Sequence, residues 1–128
     1  MDLNEYQDKA MSTCMESCNN ISYMLLNLVA EVGEFSGKLA KAIRKEHVSI
    51  GGFSPDNKNK LTIPINPLRF DLVAFDEGLK KEAGDILWQF AGLCSVMGWS
   101  LDEVGVDNLE KLADREQRGV IDGDGDNR

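Results

Sequence analysis

The chain has 128 residues, with 14 Lys and Arg against 22 Asp and Glu, a formal net charge of −8. That length holds one small domain whose core is too modest to enclose a deep private pocket without help from partner subunits. An acidic balance argues against nucleic acid as a partner, because gripping a phosphate backbone needs a basic surface. No apolar run approaches the ~20 residues that span a bilayer, and the amino terminus shows no basic segment followed by an apolar stretch. A cytoplasmic protein with no membrane partner is therefore expected.

Residues 2 to 18 form a short amphipathic segment. Ile21, Leu25, Leu28, Val32, Phe35, Leu39 and Ile43 then recur at intervals of three and four, which predicts a long helix from about residue 20 to 46. Residues 47 to 76 change character. Gly51, Gly52, Pro55, Pro64 and Pro67 surround the polar run Asp56 to Lys60, and the alternation from Lys60 to Ile65 suggests a short edge strand or hairpin. This stretch reads as an irregular insertion. A third helical pattern runs through Leu79, Ala83, Ile86, Leu87, Phe90, Leu93 and Cys94 to Met97 and Gly98. Ser100 resembles an N-cap with Glu103 as its capping-box partner, opening a fourth helix over about 101 to 118. Gly119 supplies its stop, and the Gly- and Asp-rich residues 119 to 128 are expected to be a flexible tail. The predicted fold is all-α: one four-helix domain over 1 to 128, with an insertion between helices two and three.

Cys14, Cys18 and Cys94 cannot all pair, and they lack CxxC spacing. With one histidine, His47, a His-rich metal site is excluded, so any site should run on carboxylates. Glu31 and Glu34 stand at i and i+3 on the second helix, as do Glu82 and Asp85 on the third. Each pair shares a face, and the polar stripes extend to Asn27 and Lys38 on one helix and to Gln89 on the other. If the stripes face each other, four carboxylates converge, and like charges in a half-dry cleft call for a cation. Oxygen-only ligands favour hard divalent ions, Mg2+ first and Mn2+ as the alternative. On the fourth helix Asn108, Lys111, Arg115 and Arg118 make a basic, amide-bearing stripe suited to phosphate. The other reading of both stripes is two solvated helix faces. The Asp122-x-Asp124-x-Asp126 tail lacks the Gly and Glu of an EF-hand loop.

The segments Leu28 to Phe35, Leu79 to Trp88, Leu101 to Val104 and Asn108 to Arg115 together resemble the MazG family of all-α nucleoside triphosphate pyrophosphohydrolases, related to the dimeric dUTPases and the dCTPases. Leu3 to Gln7 and Arg118 to Arg128 resemble its small single-domain members. The resemblance implies that Glu31, Glu34, Glu82 and Asp85 are metal ligands and that Lys111 and Arg115, with Asn108, lie near the phosphates. It also implies a homodimer or a homotetramer built as a dimer of dimers. The expected activity is magnesium-dependent cleavage of a nucleoside triphosphate to monophosphate and pyrophosphate, in nucleotide-pool control. Glu34, with Glu31 beside it, is the candidate catalytic base, and Gln89 and Lys38 join the substrate-facing set. Gln89 stands where relatives often carry Tyr, and the stretch between Glu34 and Glu82 is longer than usual for the family. The competing reading is a non-catalytic nucleotide-binding or oligomerising helical module.

Overall fold

The computed structural model describes residues 1–50, 62–66 and 68–128. Its elements are α1 (Leu3–Met11), a 3-10 turn (Glu16–Cys18), α2 (Ile21–Arg44), β1 (Val48–Ile50), β2 (Thr62–Pro64), α3 (Leu72–Met97) and α4 (Leu101–Gln117). Among the described residues the chain is all-α apart from the antiparallel β1–β2 pair, in which Val48 faces Pro64 and Ile50 faces Thr62. The expected hairpin is thus present, although the polar run 56 to 60 and Leu61 lie outside the described residues. None of the helices described is long and apolar enough to cross a membrane.

Two compact units divide the chain: Met1–Met24 with Phe90–Arg128, and Leu25–Gln89. In the first, buried Ala91, Cys94 and Leu101 form the core, with Tyr6, Met11 and Val104 packed against it. Gln7 of α1 is buried among them. Its amide donates to Ser95 Oγ at 2.8 Å and to the Trp99 carbonyl at 2.9 Å, and its carbonyl accepts from the Leu101 N–H at 2.8 Å. One side chain therefore satisfies both ends of the α3–α4 turn. The capping box is formed, with Ser100 Oγ accepting from the Glu103 N–H at 3.1 Å and the Glu103 carboxylate reaching back to the Ser100 N–H. Arg118 caps α4, and Gly119 turns the chain away at φ 70°.

Met24 is fully buried in this unit, and a β-carbon on Gly92 would collide with its sulfur. A Gly92→Ala protein gains up to ~1 kcal/mol of helix propensity but suffers overpacking of about 1–3 kcal/mol. The net expectation is a destabilisation of about 1 kcal/mol, read from the urea midpoint; a protein more stable than the parent would mean that Met24 moves aside freely.

In the second unit α2 ends two residues before its expected limit. Glu46 takes a left-handed φ of 57°, the conformation that closes many helices. The His47 N–H then bonds back to the Ala42 carbonyl at 2.9 Å. At the other end of the insertion, α3 begins at Leu72, not after residue 76. Asp71 Oδ1 accepts from the Ala74 N–H at 3.0 Å, so a side-chain cap starts the helix one turn earlier than the apolar spacing suggested.

Residues 119–128 fold back onto the end of α4 through turns, where Arg118 Nη2 donates to the Arg128 carbonyl at 2.5 Å and Arg128 bonds to the Gly125 carbonyl. Local arginine hydrogen bonds compensate for a composition too polar to form a core.

Candidate active site

Asn27, Glu31, Glu34 and Lys38 follow one another at steps of four, three and four residues, so α2 presents them on one face. Glu82 sits on α3. The chain return brings carboxylate oxygens of Glu31, Glu34 and Glu82 to within 4.8 Å of one another. At that separation each like-charged pair repels by about 3 kcal/mol at an effective dielectric of 20. Two contacts temper the repulsion. Lys38 Nζ lies 2.8 Å from Glu82 Oε1, and Asn27 Nδ2 donates to Glu31 Oε1 at 3.1 Å.

The relief is incomplete. Glu82 is 9% exposed, and its Oε2 is buried without a hydrogen-bond partner. The Glu31 carboxyl titrates above its ordinary range, first because of burial, then because of the Glu34 and Asp85 charges, with Glu82 adding a smaller push against the Asn27 hydrogen bond. Asp85 is exposed and is not among the three converging ligands, but its charge is felt at Glu31. Gln89, one turn beyond Asp85, is 3% exposed, and its Oε1 is likewise buried and unpartnered. A buried acceptor without a donor is costly, and the oxygens of Glu31, Glu34 and Glu82 together make a donor set that fits a hard cation.

The basic stripe of α4 lies in the other unit. Asn108 and Lys111 line a cavity of about 580 Å³ together with Trp99 and Val104. Arg115 is buried, and its Nη2 donates to Asp126 Oδ1 at 3.1 Å and to the Asp126 carbonyl at 3.2 Å; Lys111 Nζ lies 3.7 Å from the same Asp126 oxygen. Two cations of the stripe therefore converge on one carboxylate of the tail. The Arg115 hydrogen bond, then the Lys111 charge, holds the Asp126 carboxyl below its usual range. An anion already sits where the sequence suggested phosphate.

With that geometry in hand, the comparison with known families is decisive: residues 19–120 match the MazG nucleotide pyrophosphohydrolase domain. The chain belongs to the MazG family. A relative, the Gene 37 protein of Mycobacterium phage L5, is 32% identical over 113 residues, covering 88% of this chain and 81% of its own. No solved structure matches.

The MazG match takes in α2, α3 and α4, hence every acid of the cluster and every cation of the basic stripe. The structure brings Glu31, Glu34, Glu82 and Lys38 together in one unit, and Lys111 and Arg115 together in the other. Sequence reasoning did not single out Lys41, Lys45, Phe70 or Phe75, and weighed His47 only as the lone histidine; all five gather beside Lys38. The lysine spacing was readable, since Lys38, Lys41 and Lys45 follow one another at steps of three and four. The aromatic side was not, because it is assembled from the far ends of the insertion.

Proposed function

We propose that this MazG-family chain hydrolyses nucleoside triphosphates to a nucleoside monophosphate and pyrophosphate. The observation that carries the reading is the convergence of Glu31, Glu34 and Glu82, the last of which also keeps a buried, unpartnered oxygen. These three, with Asp85 beside them, would hold Mg2+, or Mn2+ in its place. A divalent ion supplies positive charge against the phosphates and makes a water more acidic. Glu34, the exposed member of the cluster, accepts the proton of the attacking water, with Glu31 holding the adjacent position. Lys38 restrains Glu82 and is assigned to a phosphate oxygen of the substrate. Lys111, Arg115 and Asn108 are the second phosphate-facing set, which Asp126 must release before they serve a substrate. Gln89, with an acceptor free in a buried position, is offered to the substrate from α3.

Leu25, Leu26, Val29 and Val32 are 46% to 71% exposed on α2 of one protomer. So much apolar surface on one helix supports a homodimer or homotetramer whose subunits cover it.

A panel of common and modified nucleoside triphosphates, assayed for pyrophosphate release with magnesium and with chelator, tests the reading. Release from at least one substrate with magnesium, and none in chelator, is expected. A folded protein that releases no pyrophosphate from any of them would leave a binding or oligomerising module as the function.

A further inference from the structure

Beyond Glu34, α2 carries Lys38 and Lys41 at i and i+3, and Lys45 follows in the turn just past the helix end, its N–H bonded back to the Lys41 carbonyl at 3.0 Å. Opposite them the chain returns from the hairpin into α3 and closes a cavity of about 460 Å³. One wall is cationic. The other is a row of rings, His47 against Phe70 at 5.2 Å between centroids and Phe70 against Phe75 at 5.3 Å.

The charges in this cavity are unbalanced. Among the described residues no carboxylate pairs with Lys41 or Lys45, and the one acid lining the cavity, Asp71, has Oδ1 committed to the Ala74 N–H. Lys38 belongs to both sites: it lines the cavity, its ammonium lies 3.6 Å from where a β-carbon on Gly78 would stand, and it pairs with Glu82 of the acid cluster. An anion that enters here is thus contiguous with the carboxylates. Two ammonium groups without a carboxylate, those of Lys41 and Lys45, stand beside low-dielectric rings and next to the paired Lys38, so a multiply charged anion is favoured. Seven residues at the helical rise separate Lys38 from Lys45 by about 10 Å, the last of them one step past the end of α2, which suits a chain of phosphates better than a single one. An uncharged base would leave the lysines unpaired.

We propose that this cavity is the polyphosphate subsite, where Lys38, Lys41 and Lys45 hold the terminal phosphates of a nucleoside triphosphate. The inference rests on the hydrolytic reading above and deepens it. Water adds across the α–β anhydride, that bond breaks, and pyrophosphate leaves with its negative charge already matched by the lysines. Lys41 and Lys45 are therefore substrate-binding residues in addition to those of α4.

The test is calorimetric binding of inorganic tripolyphosphate, with magnesium, to the parent and to a Lys41→Ala/Lys45→Ala protein. Removing two charge-assisted hydrogen bonds predicts a fall in affinity of at least about a hundredfold. Nucleoside monophosphate binding should be unchanged, and Lys41→Arg/Lys45→Arg should retain tripolyphosphate, which separates charge from folding. A Lys80→Ala/Lys81→Ala control, removing two exposed lysines outside the cavity, should bind as the parent does. Equal loss in that control, no loss in the double alanine protein, or competition by an unphosphorylated nucleoside would each overturn the assignment, the last by making the cavity a base pocket. Lysine-dependent tripolyphosphate binding in a protein that cleaves no nucleotide would sink the hydrolytic reading while leaving this one standing.

Discussion

A Glu82→Gln protein is expected to lose at least about a hundredfold in kcat/KM for nucleoside triphosphate hydrolysis while folding as well as the parent. Changing groups that merely orient a metal's ligands typically costs 10–100-fold, so neutralising a ligand itself should cost no less. Stability should move the other way. The variant loses an ion pair to Lys38, whose side chain is 44% exposed, a contact worth about 0–1 kcal/mol. It also removes one charge from a cluster whose pairs repel across at most 4.8 Å. In chelator its thermal midpoint should therefore equal or exceed that of the parent. Magnesium at a hundred times its dissociation constant should stabilise the parent by about 2.7 kcal/mol and leave the variant nearly unmoved. Thermal scans with and without magnesium, beside the pyrophosphate assay, read both halves. Full activity in the variant, or equal stabilisation by metal, would remove Glu82 from the site.

The largest effect on stability is expected at Gln7, far from any proposed chemistry in sequence. Gln7→Ala strands the buried Leu101 N–H and removes the donors to Ser95 Oγ and the Trp99 carbonyl. Each orphaned buried group costs about 1–3 kcal/mol, so a total of about 3 kcal/mol is expected. For a chain of this length that lowers the thermal midpoint by roughly 10 °C. Denaturant unfolding followed by circular dichroism measures it. A loss under about 1 kcal/mol would show that water replaces the amide and that α1 is held by its apolar contacts alone.

The two sites differ in how far they could be read from the chain. The Glu31–Glu34 pair was legible because helical periodicity alone puts residues three and four apart on one face, whereas Glu82 joins them only through the return of α3. Three of the four expected acids do converge; Asp85 stands outside that set and acts on Glu31 through its charge. The Lys38–Glu82 pair was not legible, since the sequence spaces its members 44 positions apart and only the return of the chain makes them neighbours. The same holds for Asp126, which read as part of a solvated tail but folds onto Lys111 and Arg115. Nor could the start of α3 be placed from apolar spacing, because a single Asp71 hydrogen bond sets it.

By itself the sequence determined the all-α class, the four helices, the Ser100 capping box and the acidic and basic stripes. Each depends on interactions between residues within one or two turns, where spacing is geometry. Only the tertiary structure decided which charge meets which: Lys38 with Glu82, Asp126 with Arg115, and three lysines with a wall of rings. Those contacts join residues distant along the chain, so they depend on how the elements pack, and a net charge of −8 conceals them because it records a sum and not a position.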